Sequence, residues 1–197
     1  MNCDVFADAV KEKAFAHLER TTREGNYTIQ SGFFGTGPIN PMLSKGGYPE
    51  AAQKTITQTA FPSWLYPVTQ GATTIWERWN SFTRENGFGG NNSMNSFNHY
   101  AYGCVCEWIW ETVAGIAADP ATPGFKHIIM KPIPDKRLGH VTAEYRSAAG
   151  LIKSAWKYEG DTWIWEFTIP KGVTATVTLP GEMKSKDYGS GTYKVTK

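Results

Sequence analysis

The chain reads as an α+β protein of two domains, a helical part followed by an antiparallel β-sandwich. Three observations predict this. Apolar residues recur at helical spacing through about residue 116. A break rich in proline and glycine follows, at Asp119, Pro120, Pro123 and Gly124, and marks a boundary that divides residues 1–118 from 119–197. Beyond it the apolar period falls to two, the spacing of strands with one buried face.

Composition agrees with a folded protein. The 197 residues suit one domain or two small ones, and 41% apolar with 19% charged residues allows a core and excludes disorder by composition. A net charge of +2 gives no electrostatic reason to expect nucleic acid or a membrane surface as partner. No apolar run approaches membrane-spanning length, and residues 1–9 lack the basic start and apolar core of a signal peptide. Cys3, Cys104 and Cys106 cannot build a disulfide framework. With one residue between them in an apolar helix, Cys104 and Cys106 read as reduced core thiols, and no cluster of His or Cys suggests a metal.

In order along the chain, residues 4–20 carry Val5, Phe6, Ala9, Val10, Ala14 and Leu18 on one helical face, and Gly25 and Asn26 end that helix. The glycine-rich run from Gln30 through Gly32, Gly35 and Gly37 lacks the lysine of a phosphate loop and reads as a tight connection between helices. A short helix is expected over 38–45, closed by Gly46 and Gly47. Pro49 then suits a first helical turn, and the helix continues to Ala60 before Pro62 stops it. Phe61, Trp64, Leu65 and Tyr66 form an aromatic corner.

The segment GATTIWERW, residues 71–79, carries the most suggestive chemistry. Thr73 or Thr74 can cap a short helix in which Ile75, Trp76 and Trp79 are the apolar positions, leaving the Glu77 carboxylate between two indoles. Indole faces stack on the C–H face of a pyranose while carboxylates and amides take its hydroxyls, so the cluster suits a sugar pocket. Composition alone favours the plainer reading, a helix on which Glu77 merely caps or pairs at the surface. Residues 86–95, rich in glycine and asparagine, read as an exposed loop. From 99 to 116 a long helix is expected, with Tyr102, Val105, Ile109 and Val113 on one face. His99 stands at its start beside Asn98 and Tyr100, either as a cap or as part of a site.

Past the break, Ile152, Ser154, Trp156 and Tyr158 form one strand face, then Trp163, Trp165, Phe167 and Ile169, then Val173, Ala175, Val177 and Leu179. Residues 125–131, 141–146 and 193–195 bring the count to about six strands, which an antiparallel sandwich closes.

Several of these stretches together carry a family resemblance. Gly32-Phe33-Phe34-Gly35-Thr36, Tyr48-Pro49-Glu50-Ala51-Ala52, Phe61-Pro62-Ser63-Trp64, GATTIWERW, Ser96-Phe97-Asn98-His99-Tyr100-Ala101-Tyr102-Gly103 and Pro123-Gly124-Phe125 resemble, in order and spacing, the C-terminal part of α-L-rhamnosidases of glycoside hydrolase family 78. The resemblance implies the last helices of an (α/α)6 barrel followed by the C-terminal sandwich. It implies inverting hydrolysis of terminal α-L-rhamnose, with Glu77 as general base, His99 as a substrate contact, and Trp76 and Trp79 as packing. Inversion needs a carboxylic acid on one face of the sugar and a carboxylate that activates water on the other, about 6.5–9.5 Å apart. Polar contact from His99 or Arg78 is the expected means of keeping Glu77 ionised.

In this family the general acid lies upstream, and nothing in residues 1–23 resembles its segment. Glu85, Glu107 and Glu111 read as surface or helix-pairing residues. The chain is therefore expected to hold the base without the acid and to be inactive alone. Its expected partners are a rhamnose-containing glycoside or polysaccharide, and either another copy of itself or the missing N-terminal part, because a partial barrel exposes apolar surface. No cofactor or metal is required. Two other readings stay open: a non-catalytic carbohydrate-binding module, and helices that exist only to support the sandwich.

Overall fold

The computed structural model describes residues 7–89 and 95–197 and divides the chain into two compact units, Met1–Val105 and Cys106–Lys197. The first is helical, and the second opens with the last helical turns, to Val113, and continues as strands.

In the first unit, α1 spans Asp8–Glu24. Ala14, Phe15 and Leu18 make its half-buried face, while Val10, counted to that face from the sequence, remains 43% exposed. The Gly25 N–H bonds back to the Thr21 carbonyl, and Asn26 and Tyr27 follow at positive φ, so the chain reverses as the break at Gly25 predicts. The next helix departs from expectation. α2 spans Phe33–Lys45, so most of the glycine-rich run is its first turns and not a connection. Gly32 stands at the N-cap, and the Thr36 hydroxyl donates to the Gly32 carbonyl at 2.9 Å and lies 3.0 Å from the Ser31 hydroxyl. Those local bonds offset the poor helix propensity of Gly35 and Gly37.

Gly46 closes α2 beneath Phe15 of α1. A Cβ there would lie 2.6 Å from the ring, so the close approach of the two helices requires glycine. α3, Pro49–Thr57, starts on proline as predicted and ends three residues before Ala60. The buried Asn40 amide of α2 donates to the Ala52 carbonyl at 2.9 Å and to the Thr55 hydroxyl at 3.0 Å, so its own amide is satisfied where α2 meets α3. α4 spans Leu65–Thr69 after the aromatic corner.

The expected long helix over 99–116 is a succession of three tighter and looser windings. A 3-10 turn covers Tyr100–Cys104, α5 covers Val105–Trp108, and a π turn covers Ile109–Val113. The changes of pitch rotate the buried face. Trp108 is 2% exposed, whereas Ile109, placed in the core from the sequence, is half-buried. Neither Cys104 nor Cys106 is in a disulfide, and since Cys104 is half-buried and Cys106 exposed they are not core residues.

The second unit contains two four-stranded sheets. One has the order β1-β2-β6-β7, with β1 Ala117–Ala118, β2 His127–Met130, β6 Thr174–Thr178 and β7 Ser185–Tyr188. The other has the order β3-β4-β5-β8, with β3 His140–Ser147, β4 Gly150–Glu159, β5 Thr162–Ile169 and β8 Gly191–Thr196. All pairings are antiparallel except β2 with β6, which runs parallel across a crossover that includes β3, β4 and β5 of the other sheet.

The period-two reading holds here. Ile152, Ser154 and Trp156 are buried on β4, and Trp163, Trp165, Phe167 and Ile169 on β5. Phe167 meets Tyr188 of the facing sheet at 5.5 Å between ring centroids, which joins the two layers. The carbonyls left over at the end of the π turn are also satisfied within this core. Trp156 Nε1 donates to Val113 O at 2.8 Å, and the Ser154 hydroxyl donates to Ala114 O at 2.5 Å while accepting from Trp165 Nε1 at 2.9 Å.

Candidate functional site around Glu77

Residues 71–82 form no helix; they run as bends and turns. Thr73, Thr74 and Ile75 are β-branched and Trp76 is bulky, a succession that loses side-chain freedom in a helix. The backbone pairs instead with residues 96–99. The Thr74 hydroxyl donates to the Phe97 carbonyl, the His99 N–H to the Ile75 carbonyl at 2.9 Å, and the Glu77 N–H to the Ser96 carbonyl at 2.9 Å. The two stretches singled out in the sequence therefore lie against one another.

Glu77 is half-buried and doubly tied to Ser96. Besides the backbone bond, its Oε2 accepts the Ser96 N–H at 2.6 Å. Its Oε1 has no hydrogen-bond partner among the described residues, nor does the carboxylate form an ion pair among them. The expected contact from His99 or Arg78 is thus replaced by a main-chain N–H. The turn on either side is fixed by Ser81, 1% exposed, whose hydroxyl donates to Arg78 O and accepts from Arg78 N, and by Asn95 Nδ2, which donates to Ser81 O at 2.9 Å.

The indoles beside Glu77 are packing groups. Trp76 is 7% exposed and meets Phe97 and Phe82 edge-on; Trp79 is 8% exposed, stacks on Tyr102 at 3.7 Å and meets Trp64 edge-on. Ile29 joins Trp79 and Tyr102 in the same cluster, and Trp64 Nε1 donates to the Tyr102 carbonyl at 2.9 Å. Burial pushes the Tyr102 phenol above its ordinary pKa.

His99 is half-buried and does cap: its Nδ1 accepts the Ala101 N–H at 3.4 Å, at the start of the 3-10 turn. It also lines an open groove of about 510 Å³ with Thr74, Ile75, Asn98, Tyr100 and Cys104. Glu77 itself is not on the groove wall; Ile75, two residues before it, is. The sequence reading missed Ser96 and Phe33. Phe33, from the first turn of α2, lays its ring 5.0 Å from the imidazole of His99. Of the loop expected over 86–95, residues 86–89 and 95 are described, and Gly87 forms an isolated bridge with Thr83 just upstream; residues 90–94 lie outside the described residues. Glu85, Glu107 and Glu111 are exposed, and no group of three or more His, Cys, Asp or Glu that could hold a metal exists among the described residues.

The helical unit thus ties the Glu77 carboxylate beside an aromatic cluster, and the second unit carries two four-stranded sheets. Residues 1–113 match the family profile of the bacterial α-L-rhamnosidase 6 hairpin glycosidase domain, and residues 115–194 that of the bacterial α-L-rhamnosidase C-terminal domain. The chain belongs to the bacterial α-L-rhamnosidase family and corresponds to its C-terminal part.

Relatives agree with that assignment. An α-L-rhamnosidase of Formosa agariphila is 36% identical over 177 residues, covering 90% of this chain and 19% of the relative. One of Streptomyces avermitilis is 32% identical over 182 residues, covering 92% and 17%. Among solved structures, the Streptomyces avermitilis α-L-rhamnosidase complexed with L-rhamnose superimposes with a TM-score of 0.90 at 30% identity, over 98% of this chain and 20% of that one. The α-L-rhamnosidase from Aspergillus terreus gives 0.89 at 32% identity, over 96% and 22%. The chain thus spans about a fifth of the length of these relatives.

Proposed function

We propose that this chain supplies the general base of an inverting α-L-rhamnosidase, and that it is inactive until joined by a polypeptide carrying the general acid. The observation that supports this most directly is the state of Glu77. One carboxylate oxygen is anchored by the Ser96 N–H at 2.6 Å and the other has no partner among the described residues. A carboxylate held at one oxygen and open at the other can accept a proton from a water aligned on the anomeric carbon. The acid, on the far face of the sugar, then protonates the leaving oxygen. His99 contacts the rhamnose, and Trp76 and Trp79 serve as packing behind the base. Rhamnosyl-containing glycosides or polysaccharides are the substrates.

The exposed apolar side chains of the helical unit, Phe34 at 100% and Val10 at 43%, support association with the remainder of a six-hairpin barrel. The test is reconstitution: the chain is mixed with the upstream part of a family member, and hydrolysis is followed by proton NMR. β-L-Rhamnose as first product is expected; α-L-rhamnose would overturn the inverting assignment. A purely carbohydrate-binding role is the second reading, favoured by the 90% exposed Tyr100 ring on the groove wall. Under it, rhamnose quenches the tryptophan fluorescence of the chain, but reconstitution yields no turnover.

A further inference from the structure

The site residue His99 is held by more than its cap. Its ring lies 5.0 Å from Phe33 with 17° between planes, and 6.0 Å from Tyr100 with 8° between planes. Phe33 is in turn set against Tyr102 at 5.0 Å, and Tyr102 is stacked on Trp79 of the buried cluster. The imidazole plane is therefore linked through Phe33 to the buried aromatic cluster of the helical unit. The ring nitrogens are also distinguished. The Ala101 N–H donates to Nδ1, so Nδ1 must be the unprotonated nitrogen, and a neutral imidazole then carries its proton on Nε2. Nε2 has no partner among the described residues, and His99 lines the groove.

We infer that Phe33 is a positioning residue for His99, and that His99 therefore presents a fixed Nε2–H donor to an oxygen acceptor of the ligand, such as a sugar hydroxyl. This rests on the reading of His99 as a substrate contact, but the tautomer and the role of Phe33 stand on geometry alone. The arrangement has a chemical consequence. A histidine that donates from Nε2 selects ligands offering an acceptor at that point, and a donor-only group such as an ammonium is rejected there. The glycine-rich start of α2 acquires a purpose as well, since the Thr36 bonds to Gly32 and Ser31 fix the turn from which Phe33 projects.

The test uses the whole chain labelled with 15N, at about pH 8 where an ordinary imidazole is neutral. Long-range proton–nitrogen correlation spectra, with His99 assigned by a His99→Gln variant, report which nitrogen bears the proton. A single pattern with the proton on Nε2 is expected. Phe33→Leu, which keeps apolar bulk but removes the ring face, is expected to give the averaged pattern of a mobile imidazole. Phe33→Tyr is expected to restore the wild-type pattern. A proton on Nδ1 in the wild type, or an unchanged pattern in Phe33→Leu, would overturn the inference. Adding L-rhamnose to the wild type separates the two readings. A shift of the Nε2 resonance that Phe33→Leu weakens supports both, whereas no shift in a protein with the expected tautomer upholds the positioning and overturns His99 as a substrate contact.

Discussion

Replacing Ser154 by alanine tests how the sandwich core closes the end of the preceding helical turns. The Ser154 hydroxyl is fully buried and serves two groups at once, donating to Ala114 O at 2.5 Å and accepting from Trp165 Nε1 at 2.9 Å. Its loss strands a buried carbonyl and a buried indole N–H, each costing about 1–3 kcal/mol, so a total of about 2–6 kcal/mol is expected. For a unit of this size that lowers the melting temperature by roughly 10 °C or more. Hydrogen exchange of the β4 and β5 amides, with urea titration followed by tryptophan fluorescence, measures the change in this unit specifically. A Trp165→Phe background sharpens the test. The N–H is then already absent, and Ser154→Ala should cost about 1–3 kcal/mol less than in the wild type. Equal cost in both backgrounds, or a cost below about 0.5 kcal/mol in the wild type, would refute the shared-hydroxyl account.

Three further outcomes are expected. Trp79→Ala removes a side chain that is 8% exposed and stacked on Tyr102, and should cost about 3–5 kcal/mol in chemical denaturation of the helical unit. Rhamnose affinity of the folded fraction should change little, and a selective loss of affinity at full stability would make Trp79 a ligand contact. Gly115→Ala places a Cβ 2.2 Å from Pro132 N at a φ of +75°, so a loss above about 4 kcal/mol or an insoluble chain is expected; a wild-type melting temperature would contradict the geometry. Asp119 accepts from the Thr122 hydroxyl and the Ala121 N–H, which hold its carboxyl below the ordinary carboxylate range. A lowered folded pKa gives stability that is present above the unfolded pKa and lost as pH falls through the folded value. Asp119→Ala should therefore destabilise the sandwich at neutral pH, and the difference from wild type in melting temperature should shrink on acidification; a difference that grows in acid would contradict it.

The sandwich was the most legible part of the chain because its physics is local and repetitive. Trp163, Trp165, Phe167 and Ile169 alternate without interruption, and all four are buried as the alternation requires. What escaped was the pairing of β2 with β6, since register across a crossover leaves no mark on period-two patterning. The helical part was harder. Gly35 and Gly37 argue against a helix by intrinsic propensity, yet α2 includes both because the Thr36 hydroxyl and the α2–α3 contact through Asn40 favour it. The apolar spacing of Ile75, Trp76 and Trp79 suggested a helix where the chain instead pairs with a segment some twenty residues later, a long-range bond set that periodicity cannot report.

Of the candidate site, the two side chains Glu77 and His99 were visible as residue types in distinctive motifs, and the structure lays their segments side by side. Their supports were not visible. Ser96 acts through a main-chain N–H that every non-proline residue possesses, and Phe33 acts through a ring contact made across some sixty-six residues of sequence, between Phe33 and His99. Neither the identity of Ser96 nor the spacing of Phe33 distinguishes such a role from ordinary packing.

The most direct test of the central claim is hydrolysis of a natural rhamnosyl disaccharide by the purified chain, by the chain reconstituted with an upstream family segment, and by both with Glu77→Gln. A natural disaccharide is needed because an activated aryl leaving group hardly requires an acid. The account predicts no turnover by the chain alone, turnover on reconstitution, and a loss of about 10²–10⁴-fold with Glu77→Gln. Turnover by the chain alone that Glu77→Gln abolishes would mean that the acid is already present, and turnover by the reconstituted Glu77→Gln protein at the wild-type rate would mean that Glu77 is not the base.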